Sequence, residues 1–288
     1  MDLLDKILTD ICQQKDIARH RIDDFYVCSP FTVARLDDGS IGSAGNYDVQ
    51  NHTNRYSSSE IRDKYKKLIE GDPLLLRSLA GTTGYVDISL KVAIISALSQ
   101  SLLRPEVISS AGLVCKDYTN PQPLLEELLK NGDEVTLIGY GGGLDVFCTS
   151  EKVKNLVVCD FMFERSKYKD IAWRRIKHLN GNLSRVHLVS DISKQNYFAN
   201  SNVCYITASA LCNGTMETLL DLAAQCREII VQGPSCSLFP IEFFRRSVSL
   251  ILTNKKRNKE FLLGKRSGDS IYDVVDSNKI SIFKKKRL

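Results

Sequence analysis

"NVCYITASALCNGTMETLLDLAAQCREIIVQGPSCSLFPIEFF", residues 202–244, decides the fold. Residues 203–207 and 228–232 are apolar runs of strand length, and each stops at small polar residues. Between them Asn213-Gly214-Thr215 opens a helical run, with Thr215 expected as its N-cap and Glu217 and Asp221 suited to the early turns. Strand, helix and strand at this spacing form the unit of a parallel sheet. The two strand ends present Thr207-Ala208-Ser209 and Gly233-Pro234-Ser235-Cys236-Ser237, so hydroxyls, a thiol, an amide and backbone N–H groups are expected to face one crevice. Open parallel sheets bind ligands at such ends. Thr207, Asn213, Thr215, Gly233, Pro234 and Ser235 are therefore candidate substrate-binding residues, able to hold a carboxylate or another anion.

The same alternation extends upstream, with strand-like runs at 134–139, 155–159 and 186–190. The first of them runs into "GYGGG", residues 139–143. Glycine permits a tight turn and a close backbone approach. The spacing is GxGxG over Gly139, Gly141 and Gly143, whereas a GxGxxG loop would need glycine where Leu144 stands. It resembles the adenosylmethionine loop of Rossmann-type methyltransferases. Asp160 ends the second strand 21 positions after Gly139, where an acid can accept from ribose hydroxyls. Asp191 follows the third strand, on the side where such enzymes contact adenine. Gly139, Tyr140, Gly141, Gly143, Asp160 and Asp191 are the candidate cofactor-binding residues, with S-adenosylmethionine or another adenosyl ligand as the expected cofactor.

The amino-terminal part reads differently. Residues 3–22 have helical periodicity, Phe25 to Cys28 and Phe31 to Leu36 read as strands, and Asp38-Gly39 marks a tight hairpin. Residues 60–71 and 73–80 read as short helices, and 87–103 as an apolar helix capped by Asp87 or Ser89. "CKDYTNPQP", 115–123, is a boundary candidate, followed by a helix that ends at Gly132 in a C-cap role. The expected division is an α+β domain over 1–112, a linker and helix over 113–132, a Rossmann-like ligand-binding domain over 133–265, and an extension with a basic tail over 266–288.

Composition is that of a soluble globular chain, 43% hydrophobic and 25% charged. No apolar run is long enough to span a bilayer, and the acidic amino terminus lacks the pattern of a signal peptide. The formal charge is +5, of which "FKKKRL" at the end supplies four, so the body is expected not to bind nucleic acid. The nine cysteines are scattered without a CxxC pair and read as small buried hydrophobes of a reducing, cytoplasmic setting. His20, His52, His178 and His187 form none of the usual metal spacings. Cys212 and Cys236 lie in the two strand-end loops and are the candidate ligands for a divalent metal.

Asn213-Gly214-Thr215 and Gly233-Pro234-Ser235 also carry a resemblance. They look like the signature of the putative heavy-metal chelation domain family. "FTVARLDDGSIGSAGN" and "DISLKVAIISALSQ" are similar to that family's amino-terminal domain, itself similar to the amino-terminal domain of enolases. Where the family has an Asn-Ala-Leu in the second of these, this chain has Ser96-Ala97-Leu98. The resemblance reaches to about residue 265. It implies an α/β fold, a mostly parallel sheet with helices on both faces behind a smaller α+β domain, with a cleft between the two. It implies a role in metal chelation or chelator metabolism rather than one settled reaction. Two other readings stand beside it, an adenosylmethionine-dependent transferase acting on a small amino-acid-like substrate and a non-catalytic binder of a metal complex. Tyr47 and Tyr140 are candidate aromatics of the cleft, and a homo-oligomer is expected. No serine–histidine–aspartate set is evident, which argues against hydrolysis.

Overall fold

A computed structural model describes residues 2–14, 20–27, 31–46, 63, 65, 84–190, 197–254 and 279–284. The expected helices at 60–71 and 73–80 lie outside the described residues, apart from Asp63 and Tyr65, as do Tyr47, His52 and Asp191.

Two sheets organise the chain. A three-stranded antiparallel meander is formed by β1 (Ile22–Val27), β2 (Phe31–Leu36) and β3 (Ile41–Gly45). Its second turn is the expected hairpin: Gly39 has φ +78°, and Asp38 accepts from the Ser40 N–H at 2.8 Å. The second sheet has eight strands. They are β4 (Leu113–Tyr118), β5 (Asp133–Ile138), β6 (Val153–Cys159), β7 (Val186–Val189), β8 (Val203–Thr207), β9 (Glu228–Gln232), β10 (Leu250–Asn254) and β11 (Lys279–Lys284). Their spatial order is β4-β11-β10-β9-β8-β5-β6-β7. Strands β5 to β10 are parallel and β11 runs antiparallel between β10 and β4. Read from β7 to β10, this is the Rossmann order, in which the winding reverses between the first and fourth strands. Here those strands are β5 and β8.

The helices are α1 (Leu3–Cys12), α2 (Tyr85–Ser99), α3 (Pro105–Ser110), α4 (Gln122–Leu128), α5 (Leu144–Thr149), α6 (Ser166–His178), α7 (Met216–Leu222) and α8 (Ile241–Arg245). One core cluster joins Leu125, Phe147, Ala172 and Ile176 of α4 to α6 with Val135, Leu156, Val203 and Ile230 of the sheet. The other face contributes Cys204, Ile206, Ile229 and Ile251 to a second cluster. That cluster continues without a break through α7 and α8 into α1, α2 and the meander. The amino-terminal unit thus covers part of one sheet face, as helices do in an ordinary doubly wound fold. No helix among the described residues is long and apolar enough to cross a membrane.

Helix α2 is the axis of this arrangement. Apolar residues surround it, from Leu90 through Ile94 and Ile95 to Leu98, and all of these are buried, as expected of a helix enclosed on every side. Each such side chain contributes roughly 1.5–3 kcal/mol on burial. Ala93 and Ala97, one helical turn apart, leave room for the strand β3 backbone at Gly42. Buried Lys91 on the same helix bonds Asp5 of α1, Nζ to Oδ1 at 2.7 Å, and lies 3.5 Å from Asp2.

Several sequence expectations need correction. The stretch read as a linker begins with β4, an edge strand, and the stretch read as an extension supplies β11, an interior strand. Both depend on pairing across more than half the chain, since Ile282 opposes Cys115. Phe283 and Lys284 of the basic tail belong to β11, while 285–288 lie outside the described residues. Helix α1 stops at Cys12 instead of continuing to residue 22. Helix α2 starts at Tyr85 after Gly84, so Asp87 sits in its first turn instead of capping it. Helix α4 ends at Leu128, so Gly132 is not its C-cap; it has φ +84° and donates to Lys152 in the turn before β5.

Candidate functional site

The carboxyl ends of β5 and β8 meet at the winding reversal, and the glycine loop closes over them. Gly139 has φ +89°, and a Cβ there would lie 2.5 Å from Thr207 Cγ2. A Cβ on Gly142 would lie 2.6 Å from Gln232 Nε2 and 2.8 Å from the Tyr205 hydroxyl. On Gly143 it would meet Phe147 at 2.7 Å and Tyr205 at 2.9 Å. Three glycines are thus required by the protein's own side chains. Gly141 differs: nothing lies within 4 Å of its Cβ position, so its outer face is open. Gly143→Ala is expected to cost about 1–3 kcal/mol, because both neighbours are packed rings. Gly141→Ala should melt close to wild type. Paired thermal melts check the contrast; equal losses would contradict the assignment.

Asp160 stands against the loop, but its carboxylate serves the backbone. Oδ2 accepts from the Tyr140 N–H at 2.7 Å, and Oδ1 accepts from the Met162 N–H at 2.9 Å, holding the turn that follows β6. The Tyr140 ring packs edge-on against Phe163, with the Arg175 guanidinium 5.5 Å from its centroid.

Beneath the loop lie Tyr205 and Gln232, and Tyr118 is close enough to Tyr205 to affect its phenol; sequence reasoning missed all three. Gln232 Oε1 is a buried acceptor with no hydrogen-bond partner among the described residues. Burial pushes the Tyr118 phenol up, and the nearby Cys236 thiol adds to the shift. Burial also raises Tyr205, with smaller contributions from Tyr118 and Cys236. Both phenols therefore remain protonated at neutral pH and act as donors, not bases. The available signal was positional, since Gln232 is the last residue of β9 before Gly233-Pro234-Ser235.

The strand-end hydroxyls form the other wall. Thr207 Oγ1 donates to Ser209 Oγ at 3.2 Å, and the Cys212 thiol donates to Ser235 Oγ at 3.5 Å. The Gly45 N–H at the end of β3 donates to Ser235 Oγ at 3.0 Å, and Ser89 of α2 donates to the Gly45 carbonyl at 2.5 Å. Ser209, Cys212 and Ser235 each come within 3.9 Å of the Gly45 Cβ position. The expected polar wall is therefore also a seam that fastens the amino-terminal unit to the sheet. Gly233, at φ +138°, turns the chain into this seam with Pro234 beginning the next turn.

Asn213 and Thr215 do something else. Asn213 Oδ1 accepts from both the Thr215 N–H, at 3.1 Å, and the Thr215 hydroxyl, at 2.6 Å. Thr215 occupies the N-cap position of α7, but its side chain makes no cap bond, which corrects the sequence expectation. Gly214, at φ +75°, passes α2 with Ile88 3.9 Å from its Cβ position. This Asx turn explains Asn-Gly-Thr as local backbone chemistry.

For a heavy metal the donor set is decisive. The Cys236 thiol donates to the Gly233 carbonyl at 3.0 Å, and the Cys212 thiol donates to Ser235 Oγ at 3.5 Å. Among the described residues, the three-ligand set close enough for one ion is instead His20, Asp37 and Asp38 at the hairpin turn, where Asp38 also holds Ser40. Neither thiol belongs to that three-ligand set.

Residues 124–265 match the model of the family DUF364, described as "Putative heavy-metal chelation". Two crystal structures of DUF364-family proteins of unknown function share the fold along almost the whole chain. The one from Pyrococcus horikoshii is 18% identical, with 98% of this chain and 100% of that chain covered at a TM-score of 0.66. The one from Desulfitobacterium hafniense DCB-2 is 16% identical, with 96% and 98% covered and a TM-score of 0.66. A search of curated proteins gives no match.

Proposed function

Because residues 124–265 match the model of the DUF364 family, we propose that this protein binds a small organic chelator or its metal complex at the carboxyl edge of the large sheet. The ligand lies against open Gly141 and reaches the buried face of Gln232. The observation that carries this reading is the orphaned Gln232 Oε1 beneath a glycine loop at the winding reversal. A buried carbonyl without a partner costs about 1–3 kcal/mol, which an N–H or O–H on a bound ligand would recover. The groups next to Gln232, the Tyr205 phenol and the glycine-loop backbone, are neutral donors and acceptors, which suits a polar organic molecule that brings its own metal-binding groups. An adenosyl ligand is the second reading, favoured by Asp160 standing at the glycine loop.

Thermal melting with metal salts, organic chelators, chelate complexes and adenosylmethionine tests both. A chelator or chelate should raise the melting temperature, while metal salts alone should not. Gln232→Met, of similar shape, should leave the unliganded protein as stable as before and abolish the shift. A shift with metal salt alone, lost in Cys212→Ser, would reverse the conclusion. A shift confined to adenosylmethionine and lost in Asp160→Ala would replace the first reading with the second.

A further inference from the structure

Helix α6 carries a concentration of charge that the crevice does not use. Residues 165–178 hold six cations, Arg165, Lys167, Lys169, Arg174, Arg175 and Lys177, against one acid, Asp170. Their surplus equals the formal +5 of the entire chain. Arg175 is paired with Asp145 at 2.6 Å. Arg165, Lys167, Lys169 and Lys177 have no ion pair among the described residues, and Arg174 donates only to the backbone carbonyl of Asp170. Ala172 and Ile176 point into the core, so Lys167, Ile171, Arg174 and His178 share the outer face at helical spacing. The acids near this surface are Glu164, Asp170 and the Asp145 that pairs with Arg175, all exposed.

Large apolar side chains are exposed on this helix and in the segments that flank it. Phe161 is 53% exposed, Ile171 37% and Leu183 43%. They are three of the five large hydrophobics exposed among the described residues, and they occur before, within and after α6. A nucleic-acid backbone would use the cations and leave Ile171 and Leu183 in water. An anionic bilayer surface engages both, the cations with headgroup phosphates and the apolar tips with the interfacial region. We propose that the α6 face docks the protein peripherally on an anionic lipid surface. The apolar stripe of the helix is buried against the sheet, so the docking is shallow and electrostatic, and it weakens as salt rises.

Co-sedimentation of the full chain with vesicles tests this. Vesicles of phosphatidylcholine mixed with phosphatidylglycerol should capture the protein at low salt; phosphatidylcholine alone should not. The triple variant Lys167→Glu, Arg174→Glu, Lys177→Glu should lose about tenfold or more in partition. All three positions are exposed, so its melting temperature should stay near that of wild type. Ile171→Ser should weaken capture further at moderate salt. Capture unchanged in the triple variant but lost when Lys285, Lys286 and Arg287 are neutralised would assign binding to the carboxyl terminus and overturn the proposal. Binding to single-stranded RNA without binding to vesicles would overturn it in favour of nucleic acid.

Discussion

Lys91→Met is expected to destabilise the protein by about 3–5 kcal/mol, a fall in melting temperature of roughly 10 °C for a chain of this size. Lys91 is only 3% exposed and Asp5 only 8%. Their 2.7 Å pair is the charged link between α2 and α1. Removing the ammonium leaves a carboxylate in the core with no cation to balance it, and that penalty exceeds the worth of the pair itself. The thioether of methionine fills the same volume, so packing loss is a minor part. The double variant Lys91→Met, Asp5→Leu should therefore recover much of the loss. Denaturant unfolding of the two single variants and the double variant measures the coupling. Additive losses, with the double variant worse than either single, would show that the pair does not act through its buried charge.

The second large effect is at Gly42. A Cβ there would lie 1.9 Å from the Ala93 carbonyl oxygen, 2.3 Å from the Ala97 nitrogen and 2.9 Å from the Ser96 carbonyl carbon. All three are backbone atoms of α2, and no rotamer change can move them. Strand β3 must shift away from the helix or the helix must bend. Overpacking costs about 1–3 kcal/mol where side chains can yield, and Gly42→Ala is expected at or above the top of that range. The displacement also reaches the seam, because β3 ends at Gly45, whose N–H holds Ser235. Gly45→Ala is the internal comparison. Its Cβ would find Ser235, Cys212 and Ser209 at 3.8–3.9 Å, ordinary contact distances, so its melting temperature should change little. Equal melting curves for the two variants would mean that β3 and α2 are not packed as described.

These two positions show what a single sequence can and cannot convey. The strands at 203–207 and 228–232 were legible because each is an apolar run that stops at small polar residues, a local signal. That β5 to β9 form a mostly parallel sheet followed from their alternation with helical segments; their spatial order did not. Strands β4 and β11 were not legible, because their meaning lies in each other. Leu113–Tyr118 reads as a boundary until Lys279–Lys284 arrives beside it. Lys91 and Asp5 are 86 residues apart, and neither carries a local mark of burial. At Gly139–Gly143 the sequence announced close approach but not what approaches; Thr207, Gln232, Tyr205 and Phe147 do so in three cases. Asn213 and Thr215 were singled out for their chemistry and are engaged in turning the chain. Gln232 has the opposite history: nothing local marks it, and only the fold shows that its carbonyl has no partner among the described residues.

The central claim, that the crevice takes an organic ligand and not a bare ion, is tested most directly by native mass spectrometry of the purified protein after incubation with a chelator, its metal complex or the metal salt alone. The predicted result is a mass increment equal to the chelator or the complex on the wild type. Gly141→Leu, whose side chain would occupy the open space above the loop, should remain folded and lose the increment. An increment of the metal alone, retained in Gly141→Leu and removed by Cys212→Ser, would contradict the account.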